Sequence, residues 1–345
     1  MFTDRRANSR KHRRERQPWP ANKPFKILSL DGGGIRGVYS AELLRLCEQS
    51  FCGGAKVANY FDMIAGTSTG AIIALGLGLG IPTPDIVEFY RNDGRAIFPP
   101  LQTWAPSRWF HCIRSIKRTK LDHDALERAL KRCFGDHLLG ESTVRLVVPA
   151  FMMPKTEIAV FKTDHHADFR NDHLTPMWRV ARATSAAPTY LKGHEHEESG
   201  RIFIDGGVWA NNPVMVALVD AVTAYDIAFD QVEILSVGTG NAPFELKRDG
   251  VFGGLLAWAQ VIKAAMFLTT DNATAQAKLL LGPDSCLRIE PAEADSAIDL
   301  ADYDGAFAAL PARAKEHFDL HRAEIAHFFS DQVAPRERHY SQTPK

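Results

Sequence analysis

An excess of charge of either sign is missing from this 345-residue chain, in which 41 Lys and Arg balance 41 Asp and Glu. A zero balance gives no overall field to draw the protein to DNA or RNA, and no nucleic-acid partner is expected. Cysteine is scarce. Cys47, Cys52, Cys112, Cys133 and Cys286 are odd in number, irregularly spaced and without a C-x-x-C pair. That points to buried thiols rather than a disulfide framework or a zinc site. Long apolar runs are also lacking, and none reaches the roughly 20 residues of a membrane-crossing helix. The basic N-terminus has no apolar core of the signal-peptide kind, so cytoplasmic residence is the default expectation.

What is present is a set of glycine-rich turns, each directly after an apolar run. Gly66-Thr67-Ser68-Thr69-Gly70 follows Tyr60–Ala65 and precedes the helix-like Ala71–Leu75. This is G-x-S-x-G in a strand–turn–helix setting, the context of a nucleophile elbow. Gly66 and Gly70 allow a turn that a Cβ would strain, and Ser68 is lifted to a helix N-terminus among backbone N–H donors. Asp31-Gly32-Gly33-Gly34-Ile35-Arg36-Gly37 follows the strand-like Phe25–Leu30. Its three glycines present unshielded N–H groups suited to an anion or a developing oxyanion. Asp205-Gly206-Gly207 follows the strand-like Arg201–Ile204 and offers a carboxylate at a strand end.

Two other readings compete. Gly32, Gly34 and Gly37 satisfy G-x-G-x-x-G, which would suggest dinucleotide binding. That fold needs an acidic residue about 20 positions on, at the end of the second strand. Asp62 is nearest, but it lies inside its apolar run, and that strand ends in the serine elbow. A Ser-His-Asp hydrolase would place a histidine after Asp205. Of His317, His321, His327 and His339, the first two read as a solvated helix face and His327 as a packing residue beside Phe328-Phe329.

The three motifs, in this order and without substitution, resemble the patatin-like phospholipase family from about Pro24 to Gly240. The resemblance implies an α/β, three-layer fold with a central, mostly parallel sheet, and a Ser–Asp dyad. Ser68 would be the nucleophile and Asp205 the general base. Gly32, Gly33 and Gly34, with Arg36 beside them, would form the oxyanion loop. The chemistry is coherent, because a serine hydroxyl needs a base within hydrogen-bond reach, and a desolvated carboxylate has its pKa raised towards working pH.

Ile72–Gly80, Phe161–Asp164 and Ala183–Tyr190 further resemble bacterial patatin-like effectors of cyclic-oligonucleotide antiphage signalling. That likeness implies a cyclic dinucleotide such as cGAMP as activator, a partner nucleotidyltransferase that makes it, and phospholipids at the inner face of the cell membrane as substrate. An oligomer on activation would fit such control. A lipase or esterase without nucleotide control is the alternative. Peptide or small-ester hydrolysis shares the elbow, and a vestigial, non-catalytic module is opposed by the intact Ser68, Asp205 and loop glycines.

The rest of the chain is read by composition. Residues 1–23 read as a disordered basic tail; Arg5, Arg6, Arg10, Lys11, Arg13, Arg14 and Arg16 crowd its first sixteen residues, which have almost no apolar side chains and some attraction for anionic lipid. Residues 24–240 form the catalytic core. Residues 241–331 read as a helical cap or sheet cover, and 332–345 as a loose polar tail. Trp104, Trp109 and Phe110 among basic residues in 101–120 suit either a lid at a lipid surface or a packed basic loop. The region 250–330 is a second candidate lid, with no nucleotide motif. Asp164, His165, His166, Asp168, Asp172 and His173 cluster without an H-E-x-x-H frame. Loop hydrogen bonding is expected there; no metal is assigned, though weak calcium binding stays open.

Overall fold

The computed structural model describes residues 14–99, 122–187, 190–196, 200–240, 255–291 and 298–340. The aromatic-basic segment 101–120, most of the basic tail and residues 241–254 lie outside the described residues.

The architecture is an α/β sandwich. Strand β1 (Phe25–Leu30) leads into helix α1 (Gly37–Phe51), and β2 (Met63–Gly66) into α2 (Thr69–Gly78) and α3 (Thr83–Ile97). Helix α4 (His123–Phe134) precedes the hairpin of β3 (Arg145–Met153) and β4 (Glu157–Lys162). Then come α5 (Met177–Thr184), β5 (His194–His196), β6 (Arg201–Asp205), the single turn α6 (Gly207–Ala210), α7 (Val214–Ala224) and β7 (Val232–Val237). The chain continues through α8 (Leu255–Leu281), β8 (Cys286–Ile289), α9 (Tyr303–Leu320) and α10 (Arg322–Phe328).

Strands β3, β2, β1, β7 and β8 run parallel, while β4, β6 and β5 are antiparallel additions. Period-2 alternation divides the core into two. Phe25 and Ile27 of β1, Met63 and Ala65 of β2, and Ile234 of β7 face a core shared with α7 and α8. Leu28, Leu30, Ile64 and Leu235 face the other, with α1, α2, α3 and α9. Helix α2 is buried along its whole length, which explains its apolar sequence on every side.

One feature of the sheet fixes the position of the site. β2 pairs with β3 at Met63–Ala65 against Arg145–Val147, and β6 pairs at Asp205 against Ala150 and beyond. β4 pairs with Val147–Met152 and overlaps both registers, so it takes the other edge of β3. β2 and β6 therefore share one edge and run towards each other. Their last pairings with β3, at Val147 and Ala150, are separated by the rise of three residues, about 10 Å.

Three placements differ from the sequence reading. Residues 14–23, expected within a disordered tail, are docked where described. Gln17 bridges to Tyr225, Arg14 pairs with Asp220, and Trp19 packs on Phe25 and Tyr225. The aromatic ring, which tail-like composition hides, supplies the apolar contact. Residues 332–340 are not loose: Arg336 is buried and pairs with Asp164 at 2.7 Å, and Tyr340 N–H donates to the same carboxylate. Polar composition misleads there because the segment's one buried side chain is charged. Finally, the largely helical C-terminal region also supplies β8, a strand of the same sheet as residues 25–237.

Arg336→Ala would leave Asp164 buried without its countercharge, a loss of about 3–5 kcal/mol. A chain ending at Asp331 should lose about as much. Urea unfolding of the three proteins checks this, and an unchanged midpoint would mean the segment does not hold the fold.

Candidate active site

Ser68 begins α2 with φ 52°, the one non-glycine residue with positive φ among the described residues. Such a backbone costs of order 1–3 kcal/mol and persists only where neighbours impose it. Here they do. Ser68 N–H donates to Thr184 Oγ1 at 3.1 Å, Thr67 N–H to the Leu30 carbonyl at 3.1 Å, and Thr67 Oγ1 to the Ala210 carbonyl at 2.7 Å. The flanking glycines are required by space. A Cβ on Gly66 would lie 2.3 Å from the Gly70 carbonyl oxygen, and one on Gly70 2.3 Å from that of Leu30.

Asp205 closes β6, head-on to the elbow, and is 4% exposed. Its Oδ1 accepts the Gly207 N–H at 2.7 Å, so the Gly206-Gly207 turn folds back on its own carboxylate. The Ser68 hydroxyl lies in the same pocket and favours the charged form of Asp205. Burial pushes the Asp205 carboxyl up to about 6, against the pull of the Gly207 N–H and the Ser68 hydroxyl. Gly206 lets the turn approach β3, since a Cβ there would lie 2.3 Å from the Pro149 carbonyl oxygen.

The three loop glycines are not equivalent. Gly32 N–H is spent on the Asn211 carbonyl at 3.0 Å, so it is no free donor. The N–H groups of Gly33 and Gly34 have no acceptor among the described residues, and both glycines line the same pocket as Ser68 and Asp205. Arg36 stands outside that pocket. Its Nη1 donates to the Gly240 carbonyl at 3.0 Å, and burial lowers its pKa to about 10 against the opposing charge of Asp299. It braces the Gly238-Thr239-Gly240 turn.

The pocket is partly open to solvent, and the space between its walls, the solvent at its mouth included, is about 710 Å³. Beyond its polar end it is walled by Ile72, Phe89, Ile97, Phe98, Leu126 and Leu191. This is an apolar slot ending at a hydroxyl, a carboxylate and two outward N–H groups.

Sequence reasoning missed the parts that Thr184, Asn211 and Arg288 take in the site, though the small-residue loop Gly238-Thr239-Gly240 was expected at this edge of the sheet. Thr239 Oγ1 donates to the Gly32 carbonyl at 2.7 Å. Arg288, on β8, forks the Asp31 carboxylate at 2.9 and 2.6 Å. Its signal was a four-residue strand pattern, Cys286-Leu287-Arg288-Ile289, too short to distinguish from a loop.

The competing readings meet specific obstacles. Asp62 accepts the Lys26 N–H at 3.1 Å and pairs with Lys23, at the start of β2 and the opposite sheet end from the glycine loop. It is not placed to bind a ribose there. No histidine lines the pocket among the described residues. His317 is not solvated as expected, since its Nδ1 bonds the Tyr39 hydroxyl at 2.7 Å. His327 stands edge-on to Phe328, as expected, but it is exposed and faces Glu233 at 3.2 Å. In the polar cluster, Asp164 is taken by Arg336, and His165 bridges Thr163 and Asp220. Burial holds His165 down at about 4, a neutral ring that donates one N–H to Asp220 and accepts from Thr163.

An α/β protein with a serine elbow, a glycine loop and a strand-end aspartate at one sheet edge is thereby defined. The chain belongs to the patatin-like phospholipase family, whose profile matches residues 28–218. It is 30% identical to a cGAMP-activated phospholipase of Escherichia coli, over 65% of each chain. It is 33% identical to a cGAMP-activated phospholipase of Vibrio cholerae, over 66% of this chain and 68% of that one. It is also 32% identical to patatin-like protein 2 of Arabidopsis thaliana, over 75% of this chain and 69% of the other. The chain thus spans about two thirds of the length of these relatives. No helix among the described residues is long and apolar enough to cross a membrane.

The raised pKa of Asp205 has a stability consequence. A carboxyl raised on folding, from 3.8 to about 6, contributes stability that is complete below the unfolded pKa and lost as pH rises through the folded one. At pH 8 the ionised group costs up to about 3 kcal/mol, one unit being about 1.4 kcal/mol. Asp205→Asn should therefore be at least as stable as the parent at pH 8, with the advantage gone at pH 4. Urea titrations at both pH values measure it, and a less stable variant at pH 8 would contradict a buried, poorly solvated carboxylate.

Proposed function

We propose that the protein is a lipid acyl hydrolase that cleaves membrane glycerophospholipid esters through a Ser68–Asp205 dyad, switched on by a cyclic dinucleotide such as cGAMP. The carrying observation is the Ser68 hydroxyl and the buried Asp205 carboxylate brought together at the polar end of one apolar slot. Asp205 takes the Ser68 proton as Oγ attacks the ester carbonyl. The carbonyl electrons move onto oxygen, which the Gly33 and Gly34 N–H groups receive. Collapse expels the alcohol, lysophospholipid in this reading, and Asp205 returns the proton to it. A water, deprotonated by Asp205, then attacks acyl-Ser68, fatty acid leaves and the serine is restored. The apolar walls suit the acyl chain and would hold it in line with Oγ.

Nucleotide control is supported by the names of the two bacterial relatives. On this reading a nucleotidyltransferase supplies the activator during phage infection, and the enzyme acts on the inner face of the cell membrane, with assembly into oligomers as one route of activation. Residues 24–240 would carry the chemistry, with 241–331 packed on them. The plant relative supports the plainer alternative, a lipase without nucleotide control.

Fatty-acid release from phospholipid vesicles, alone and with a panel of cyclic di- and trinucleotides, tests both parts. Ser68→Ala and Asp205→Asn should each lower turnover by at least about 10³-fold. Normal turnover by either variant would remove the dyad. Release without any nucleotide would remove the switch and leave the lipase. Because Asp205 must be ionised to accept a proton, the rate should rise with pH through a midpoint near 6.

A further inference from the structure

We infer that Arg288 is a positioning residue for catalysis, setting the direction of the Gly33 and Gly34 N–H groups by gripping Asp31. The inference rests on the ester-cleaving reading of Ser68 and Asp205.

A run of three glycines has no side chains with which to hold itself, and it has more backbone freedom than any other tripeptide. Its N–H groups help a transition state only if their direction is fixed beforehand. Asn211 and Thr239 hold Gly32, and the direction of the next two N–H groups depends further on what holds the two ends of the run. At the far end, Ile35 N–H donates to the Leu300 carbonyl at 3.0 Å. At the near end stands Asp31, 1% exposed, with its N–H on the Val237 carbonyl at 3.1 Å. Its carboxylate is the charged side chain next to the glycines, and Arg288 takes both oxygens at 2.9 and 2.6 Å.

Arg288 is anchored in turn. It lies on β8, its Nη1 also reaches Ser236 Oγ on β7 at 2.9 Å, and its Nη2 reaches Glu290 at 2.9 Å. Its side chain is 8% exposed. The guanidinium lies against the backbone of Gly238, where a Cβ would be 2.5 Å from Nη2. A planar fork fixes both the distance and the plane of a carboxylate, which an ammonium does not. Arg288 does not line the pocket, so it acts through Asp31 and not on substrate.

The test uses the full chain with cGAMP present throughout and p-nitrophenyl butyrate as ester. Arg288→Lys keeps the charge and loses the fork; Arg288→Ala loses both. Each should lower kcat by about 10²-fold, the scale of one misplaced oxyanion donor, with KM changed less than about threefold. The inhibition constant of a trifluoromethyl ketone, whose serine adduct carries the oxyanion, should rise in proportion to the fall in kcat/KM. A purely structural loss would reduce the active fraction and leave that constant where it was. Unchanged kcat or an unchanged inhibition constant in Arg288→Lys overturns the inference, and this variant serves if Arg288→Ala does not fold. Fluorophosphonate labelling of the parent but not of Ser68→Ala separates this result from the parent reading. An unlabelled parent removes the ester-cleaving reading, and the role of Arg288 with it.

Discussion

Two strands meeting head-on along one edge of β3 determine where the rest must go. β2 climbs that edge to Ala65 opposite Val147, and β6 descends it to Asp205 opposite Ala150. Whatever follows β2 therefore faces whatever ends β6, across a gap of about three residues. The serine turn fills the gap from one side and the carboxylate from the other. The gap leaves a free carbonyl at Pro149, and Thr184 Oγ1 takes it at 2.6 Å while accepting the Ser68 N–H. One threonine thus ties the turn to the strand that measures its distance from Asp205. Parallel β1, one strand over, delivers the glycine loop to the same end of the sheet.

Such convergence leaves almost no room. Gly66 against Gly70, Gly70 against Leu30 and Gly206 against Pro149 are backbone-to-backbone approaches in which a Cβ would fall 2.3 Å from an oxygen. These glycines are there for space, which is why the motifs are legible as glycine patterns at all. The site also places a carboxylate where it is poorly solvated. That arrangement works against stability and towards basicity, a balance common where function needs a strained or desolvated group.

Legibility followed the range of the interactions. Ser68, Asp205 and the glycines could be read because each motif is local: a strand, a tight turn and a helix within about ten residues. The two-sided core was equally open to reading, since Phe25 and Ile27 alternate with Leu28 and Leu30. Arg288, Arg336 and Arg14 could not be read. Each pairs with an acid more than 170 residues away, and a lone arginine in a polar stretch looks the same whether solvated or buried. The division of labour among Gly32, Gly33 and Gly34 was hidden as well, because it depends on the distant Asn211 carbonyl. His317, and in part His327, were misjudged for a related reason. Helical periodicity assigns a face, but Tyr39 on α1 and Glu233 on β7 decide what that face meets.

The reach of β8 and Leu300 back to the start of the chain bears on the order of events during synthesis. The sheet from β1 to β7, with the elbow and Asp205, is complete once residue 237 has been made. The fork on Asp31 waits for residue 288, and the acceptor for Ile35 N–H waits for residue 300. At the usual 5–20 residues per second, that interval lasts several seconds. Until then, the contacts available to the glycine loop are those from Val237, Asn211 and Thr239. Contacts made late by the growing polypeptide are thus the ones that stiffen one of its earliest loops.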